Sequence, residues 1–289
     1  MSAERPGLGI ASSLTAVLFF AVMDATAKWL GARYPPIEIV SFRYLFGLVP
    51  AVLLIWYGGG LPALKMRRPL LHGLRAGLLF ASLLSFFTGL RALPLAEAIA
   101  YLFTAPLFVA LLSGPLIGEA VGSRRWLAVV TGFVGVLIMV RPGGGAFRPE
   151  ALWALAAALA IALAMLLTRR MVRTETNVSI FFYTNVGAGI ASLPFLALDW
   201  HRPEAADLWL FALVGVLGGT AAYLMVVAYR QAPAALVAPF EYTALVWGAI
   251  LGWLLWGEQP GPTVWIGAAV IVLAGFYLTR WEVLPTRSG

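Results

Sequence analysis

Apolar positions in this chain run on in long blocks, without the regular polar spacing of a half-buried helix or strand. The blocks fall near 8–32, 36–57, 69–91, 94–118, 122–141, 150–172, 177–198, 206–230, 233–257 and 262–281, with short clusters of Gly, Pro and Arg between them. About 20 apolar residues make a helix long enough to cross the hydrocarbon of a bilayer, and a helix that is apolar all round is one that meets no water. The blocks are too long for barrel strands, and an open sheet edge in lipid would leave backbone groups unpaired. The pattern predicts an all-α integral membrane protein with ten transmembrane helices.

Composition agrees with this reading. Of 289 residues, 61% are hydrophobic and 11% charged, and the mean hydropathy is +0.89, outside the range of a soluble domain. A net charge of +7 would suggest nucleic acid in a soluble protein. Here most of the basic residues sit in short connections, where they set orientation, so no nucleic-acid partner is expected. Counting Lys and Arg in alternate connections gives twelve on one side, from Arg5 to Arg287, against Arg33, Arg91, Arg141, Arg148 and Arg202 on the other. The positive-inside rule then places both termini in the cytoplasm. Arg5 before an apolar run ending in Ala25-Thr26-Ala27 imitates a secretory signal, but Asp24 sits badly beside a cleavage site and many such runs follow.

Catalytic chemistry finds little support. Cysteine is absent, and His72 and His201 are the two histidines, which disfavours thiolate metal sites and imidazole-based catalysis. Ser113-Gly114 resembles an intramembrane serine nucleophile, yet a nucleophile needs a base within hydrogen-bond reach. Asp24 has no second intramembrane aspartate beside it. The expectation is a protein that is not an enzyme and holds no cofactor or metal.

Shifting the chain by 139 residues lays Leu93–Arg141 over Ala232–Arg280. Pro94 then meets Pro233, Gly118-Glu119 meets Gly257-Glu258, Trp126 meets Trp265 and Arg141 meets Arg280. Identities in Ala or Leu are cheap in such a chain, but these are not. The expected units are a first repeat at 1–141, a connection at 142–149, a second repeat at 150–281 and a tail at 282–289. Five helices in each half make equivalent helices cross in opposite directions, a 5+5 inverted-topology repeat. Two halves that can exchange packing suit alternating access.

The run GLRALPLAEAIAYLFTAPLFVALLSGPLIGEAVGSRRWLAVVTGFVGVLIMVRP resembles the EamA repeat of the drug/metabolite transporter superfamily, and YRQAPAALVAPFEYTALVWGAILGWLLWGEQPGPTVWIGAAVIVLAG resembles its second copy. The resemblance covers the chain apart from its tails. It implies a bacterial inner-membrane carrier of small metabolites, and the YddG-type branch that exports aromatic and other small neutral amino acids is the first expectation. The entry FFAVMDATAKWLGARYPPIEIVSFRYLFG also looks like the branch that imports S-adenosylmethionine and riboflavin. That import is the alternative, with a proton-coupled drug antiporter beside it. No nucleotide-binding loop is present, so the energy would come from gradients.

Polar residues inside apolar blocks are the candidate site. Projecting the fourth helix puts Glu97, Tyr101, Thr104 and Phe108 on one stripe, with Leu236, Phe240, Thr243 and Trp247 as its counterpart. If the stripes meet, they line an aromatic substrate cavity; packing alone is the plain alternative. Glu97, three residues after Pro94, either caps a helix near the outer face or contacts a substrate amine or proton. Pro106 and Pro239 remove mid-membrane hydrogen bonds and make hinges, freed carbonyls or simple kinks. Asp24 and Lys28, at i and i+4, predict an intrahelical pair. With Glu38 and Arg43 they suggest a charge network, read as a structural cluster or as a gate or coupling carboxylate. Ser82, Ser85, Tyr183 and Asn185 serve as substrate contacts or as polar glue between helices. Gly215, Gly218 and Gly219 read as close-packing sites, and Glu119 and Glu258 as ties for loops. The expected partners are the bilayer and a small solute, with one chain making a complete pathway as a monomer.

Overall fold

The structure, a computed structural model of the chain, describes residues 5–57, 60–117, 123–140, 148–172, 174–232, 237 and 240–283. Among the described residues the elements are helical throughout: α1 (Pro6–Leu30), α2 (Pro36–Phe46), α3 (Leu48–Tyr57), a 3₁₀ turn at Leu61–Leu64, α4 (Pro69–Leu90), α5 (Leu95–Leu102), α6 (Ala105–Ile117), α7 (Ser123–Val140), α8 (Ala151–Met171), α9 (Asn177–Leu198), α10 (Leu208–Gln231), α11 (Thr243–Trp256) and α12 (Pro262–Val283). Among the described residues seven stretches are long and apolar enough to cross a membrane, two of them formed by α2 with α3 and by α5 with α6. Shorter apolar segments lie in α7, α11 and α12.

Local chemistry sets where these helices start and stop. Prolines open α1, α2, α4 and α12, where the missing N–H would have had no intrahelical partner. Thr176 caps α9 by accepting the Ser179 N–H at 3.0 Å. Gly257 ends α11 in the left-handed region at φ 64°, and the Glu258 N–H then closes back on the Gly252 carbonyl at 3.1 Å.

Two expected single helices are broken. The block 36–57 divides at Gly47, and the block 94–118 divides at Phe103-Thr104. At the second break the Thr104 N–H bonds the Tyr101 carbonyl at 3.1 Å in the tighter three-residue pattern, and the Thr104 hydroxyl donates to that same carbonyl at 2.7 Å. Pro106 therefore occupies the first turn of a new helix, where it costs no hydrogen bond, instead of kinking a continuous one.

α1 packs on α10 and α4 on α8; α2 lies against α9 and α10, and α4 also touches α9. α5 packs on α11, and α7 on α12. Small residues let these backbones approach, as bilayers require when apolar side chains gain nothing by leaving lipid. A Cβ on Gly267 would lie 2.6 Å from the Gly135 carbonyl oxygen, and one on Gly215 would lie 2.3 Å from the Phe46 Cβ. The glycines of α10 are thus contact points for α2 and α3.

The packing predicts that Gly215→Ala destabilises by about 1–3 kcal/mol through overpacking. Gly77→Ala, with nothing within 4 Å of the added methyl, leaves stability unchanged or raised. Thermal unfolding of the two variants in detergent compares them directly.

Candidate transport site

At the end of the bundle where α1 finishes, Lys28 is almost enclosed. Its ammonium donates to the Leu93 carbonyl at 2.6 Å and to the Glu258 carboxylate, with side-chain exposures of 8% for Lys28 and 18% for Glu258. Glu258 also accepts the Leu95 N–H at 2.8 Å, one of the free donors at the start of α5. The Trp256 ring lies 5.3 Å from the ammonium and 6.3 Å from the Trp29 ring. One ion pair, two backbone groups and an aromatic lid thus draw together α1, the α4–α5 link and the α11–α12 turn.

Toward the middle of α1, on the N-terminal side of this tie, lies a cavity of about 410 Å³. Phe20, Met23 and Asp24 face it from α1, and Ser82 and Phe86 from α4. The break between α5 and α6 contributes Phe103 and Pro106, α8 contributes Met165, and α10 contributes Met225. Glu241, just before α11, completes the wall. The Tyr229 hydroxyl donates to Glu241, and the Phe103 ring sits 4.9 Å from that of Tyr242. The surface is aromatic and thioether-rich with two carboxylates. Such walls stack on planar rings and balance a positive charge.

Several expected residues are elsewhere. Tyr101 is fully buried and donates to Glu97 at 3.3 Å, so both face the packed interior. Thr104 is spent on the chain break. Phe108 packs edge-on against Phe133 at 5.9 Å, on the α7 side. The break turns α6 relative to α5, so a stripe projected along one helix does not stay on one face. Phe240, Thr243 and Trp247 are half-buried outside the cavity wall, with the Thr243 hydroxyl bonded to the Phe240 carbonyl at 2.6 Å. Ser85 also lies off the wall. Leu236, Pro239 and Glu119 fall outside the described residues.

The expected Asp24–Lys28 pair is replaced by Lys28–Glu258, because Lys28 at the helix end reaches the neighbouring turn. Of the expected charge network, Asp24 and Arg43 remain electrostatically coupled, while the hydrogen bonds of its members go elsewhere. Glu38 accepts the His201 N–H at 3.3 Å, and Arg43 donates to Asn185 Oδ1 at 3.3 Å. Asn185 lines a different groove, between α2 and α9, with Ser41 and Tyr44. Tyr183 donates to the Leu64 carbonyl at 2.9 Å, fastening the 3₁₀ turn to α9. Glu241 was not anticipated, although a carboxylate inside an apolar block is itself a functional signal.

The EamA-like transporter family matches the sequence twice, over residues 7–141 and 148–280. The chain belongs to this family. An S-adenosylmethionine uptake transporter of Rickettsia bellii is 30% identical over 276 residues, covering 95% of this chain and 94% of the relative. A riboflavin transporter of Rhizobium johnstonii is 30% identical over 295 residues, covering 99% and 96%. A riboflavin transporter of Vibrio cholerae is 28% identical over 288 residues, covering 98% and 97%. A solved crystal structure shares the fold, with a TM-score of 0.64 over 95% of this chain and 98% of that one at 23% identity. This EamA-like protein is therefore a multi-pass membrane transporter.

Removing one member of an enclosed ion pair leaves the other charge unanswered, at a cost of about 3–5 kcal/mol. Glu258→Gln accordingly lowers the unfolding temperature of the transporter more than the double variant Lys28→Met/Glu258→Leu does. Unchanged stability in the single variant would rule out a tie of this strength.

Proposed function

We propose that this protein is a secondary transporter that takes up an organic cation bearing an aromatic ring, of the S-adenosylmethionine class, across a bacterial inner membrane. The observation that carries the reading is a central cavity whose aromatic and methionine wall holds two carboxylates, Asp24 and Glu241. A cation in a water-poor cavity needs such groups, and a planar base needs the ring faces of Phe20, Phe86 or Phe103. Relatives named for S-adenosylmethionine uptake support it. Export of small neutral amino acids is the weaker reading, since the single ammonium of such a solute answers one carboxylate and leaves the other without a cation. A neutral flavin is the second reading, favoured by the same rings and by the relatives named as riboflavin transporters.

The mechanism follows from inverted halves. Ten spanning helices in two groups of five, with both termini cytoplasmic, make α1 the counterpart of α8 and α4 the counterpart of α10. The contact of α1 with α10 then corresponds to that of α8 with α4, and the contacts α5–α11 and α7–α12 map onto themselves. A bundle with paired contacts of this kind can open at either end by rocking one set against the other. With both termini cytoplasmic, α1 ends at the outer face, and the Lys28–Glu258 tie is the contact that holds that end together. Breaking it while the inner end closes delivers the cavity to the outside. One chain supplies the whole pathway, as a monomer.

Purified protein in liposomes tests this. Labelled S-adenosylmethionine enters, and unlabelled S-adenosylmethionine competes better than riboflavin or phenylalanine. Asp24→Asn and Glu241→Gln each reduce its uptake efficiency about 10- to 100-fold, the worth of one charge-assisted contact. Inert S-adenosylmethionine with saturable riboflavin or phenylalanine flux would overturn the cation reading.

A further inference from the structure

Asp24 faces the cavity and interacts electrostatically with Arg43, yet no ion pair within 4.0 Å joins them. Arg43 is held from behind, with Nη1 on Asn185 Oδ1 at 3.3 Å and the guanidinium 4.7 Å from the centre of the Tyr44 ring. Its Nε–H is shielded from water and has no hydrogen-bond partner. An unanswered guanidinium donor inside a membrane protein is costly, and an arginine placed only to bind helices together would have its donors used.

Arg43 and Met23, a residue of the cavity wall, meet at Gly218. The position that a Cβ on Gly218 would occupy lies 3.1 Å from Arg43 Nε, 3.4 Å from Arg43 Nη2 and 2.5 Å from Met23 Sδ. The thioether of Met23, which lines the cavity, and the Nε–Nη2 edge of Arg43 therefore border the same spot beside Gly218. That edge is one of the two-pronged faces of a guanidinium that match a carboxylate. Methionine is unbranched and readily changes rotamer.

We propose that Asp24 and Arg43 together form a receptor for an α-amino-acid headgroup, Asp24 taking the ammonium and the Nε–Nη2 edge of Arg43, uncovered as Met23 moves aside, taking the carboxylate. This deepens the cation-uptake reading and rests on it. A zwitterionic headgroup presents opposite charges a few ångströms apart, one for each member of the receptor. Glu241 is left for a second cationic centre farther along the solute. A flavin has no α-amino-acid group and leaves both members unanswered, so the receptor selects between the two substrate classes named by the relatives. It also makes Arg43 a specificity residue that reads a group absent from amines of otherwise identical shape.

The experiment compares S-adenosylmethionine with its decarboxylated counterpart in liposomes holding the full chain. In the wild type the carboxylated compound is taken up about 10- to 100-fold more efficiently, the range of a charged hydrogen-bonded pair. Arg43→Gln lowers its efficiency at least tenfold more than that of the decarboxylated compound, and Arg43→Lys restores part of the preference. Met23→Ala lowers the KM for the carboxylated compound alone. A wild-type ratio near one overturns the proposal, whether or not the Arg43 variants fold, as does an equal loss for both compounds in Arg43→Gln. Riboflavin uptake with both adenosyl compounds inert would instead overturn the cation reading beneath it.

Discussion

An ammonium group cannot remain unanswered at the end of a nearly apolar bundle, and for Lys28 the answer comes from a carboxylate 230 residues further along the chain. Much of the architecture at that end depends on this contact. Glu258 reaches Lys28 because Gly257 adopts a left-handed turn that side chains other than glycine rarely accept. The same carboxylate takes up a free N–H at the start of α5, so one residue fixes the relative positions of α1, α5 and α11. With Lys28 committed there, Asp24 one turn earlier is released from the local pairing its spacing invites, and it faces the cavity.

The exclusion of water acts on every other polar group as well. Hydroxyls within the helices mostly return to their own backbone, as Thr26 does to Val22, Ser41 to Ile37 and Thr88 to Leu84. Where a helix breaks, the chain itself supplies the missing partners, which is the work of Thr104 between α5 and α6. That break aims Phe103 and Pro106 at the cavity while Tyr101 stays in the packed interior. Among the described residues Glu38 Oε1 and Arg43 Nε are buried without a hydrogen-bond partner, while the carboxylates of Asp24 and Glu241 face the cavity.

The relatives divide between a sulfonium cation and a neutral flavin, two solutes that share a planar heteroaromatic ring. The cavity wall of this protein carries phenylalanine rings of the kind that stack on planar rings. What separates them is charge, and the carboxylates and guanidinium of this protein bear on that difference. An aromatic wall is cheap to build in a bundle already rich in phenylalanine, whereas each buried charge is costly and must repay its desolvation. The charged residues are therefore the more informative part of the cavity.

The helical class, the boundaries of most helices and the internal repeat were legible along the chain, because each depends on local run length, proline placement or constant offset. Pro36 and Pro69 mark starts by their own covalent geometry, and Gly118-Glu119 echoes Gly257-Glu258 without reference to any contact. The break at Thr104 was hidden because a proline inside an apolar run fits a kink and a new first turn equally well. Side-chain partnership could not be read in the same way. Lys28 has Asp24 at an ideal local spacing, and only the approach of the α11–α12 turn decides for Glu258. Glu241 carried a readable signal in its apolar surroundings, but its place on the cavity wall depends on α1, α4 and α8 converging from distant parts of the chain. Run length and backbone chemistry are properties of neighbours in sequence, whereas charge pairing in a low-dielectric bundle is settled by whichever groups the packing brings within a few ångströms.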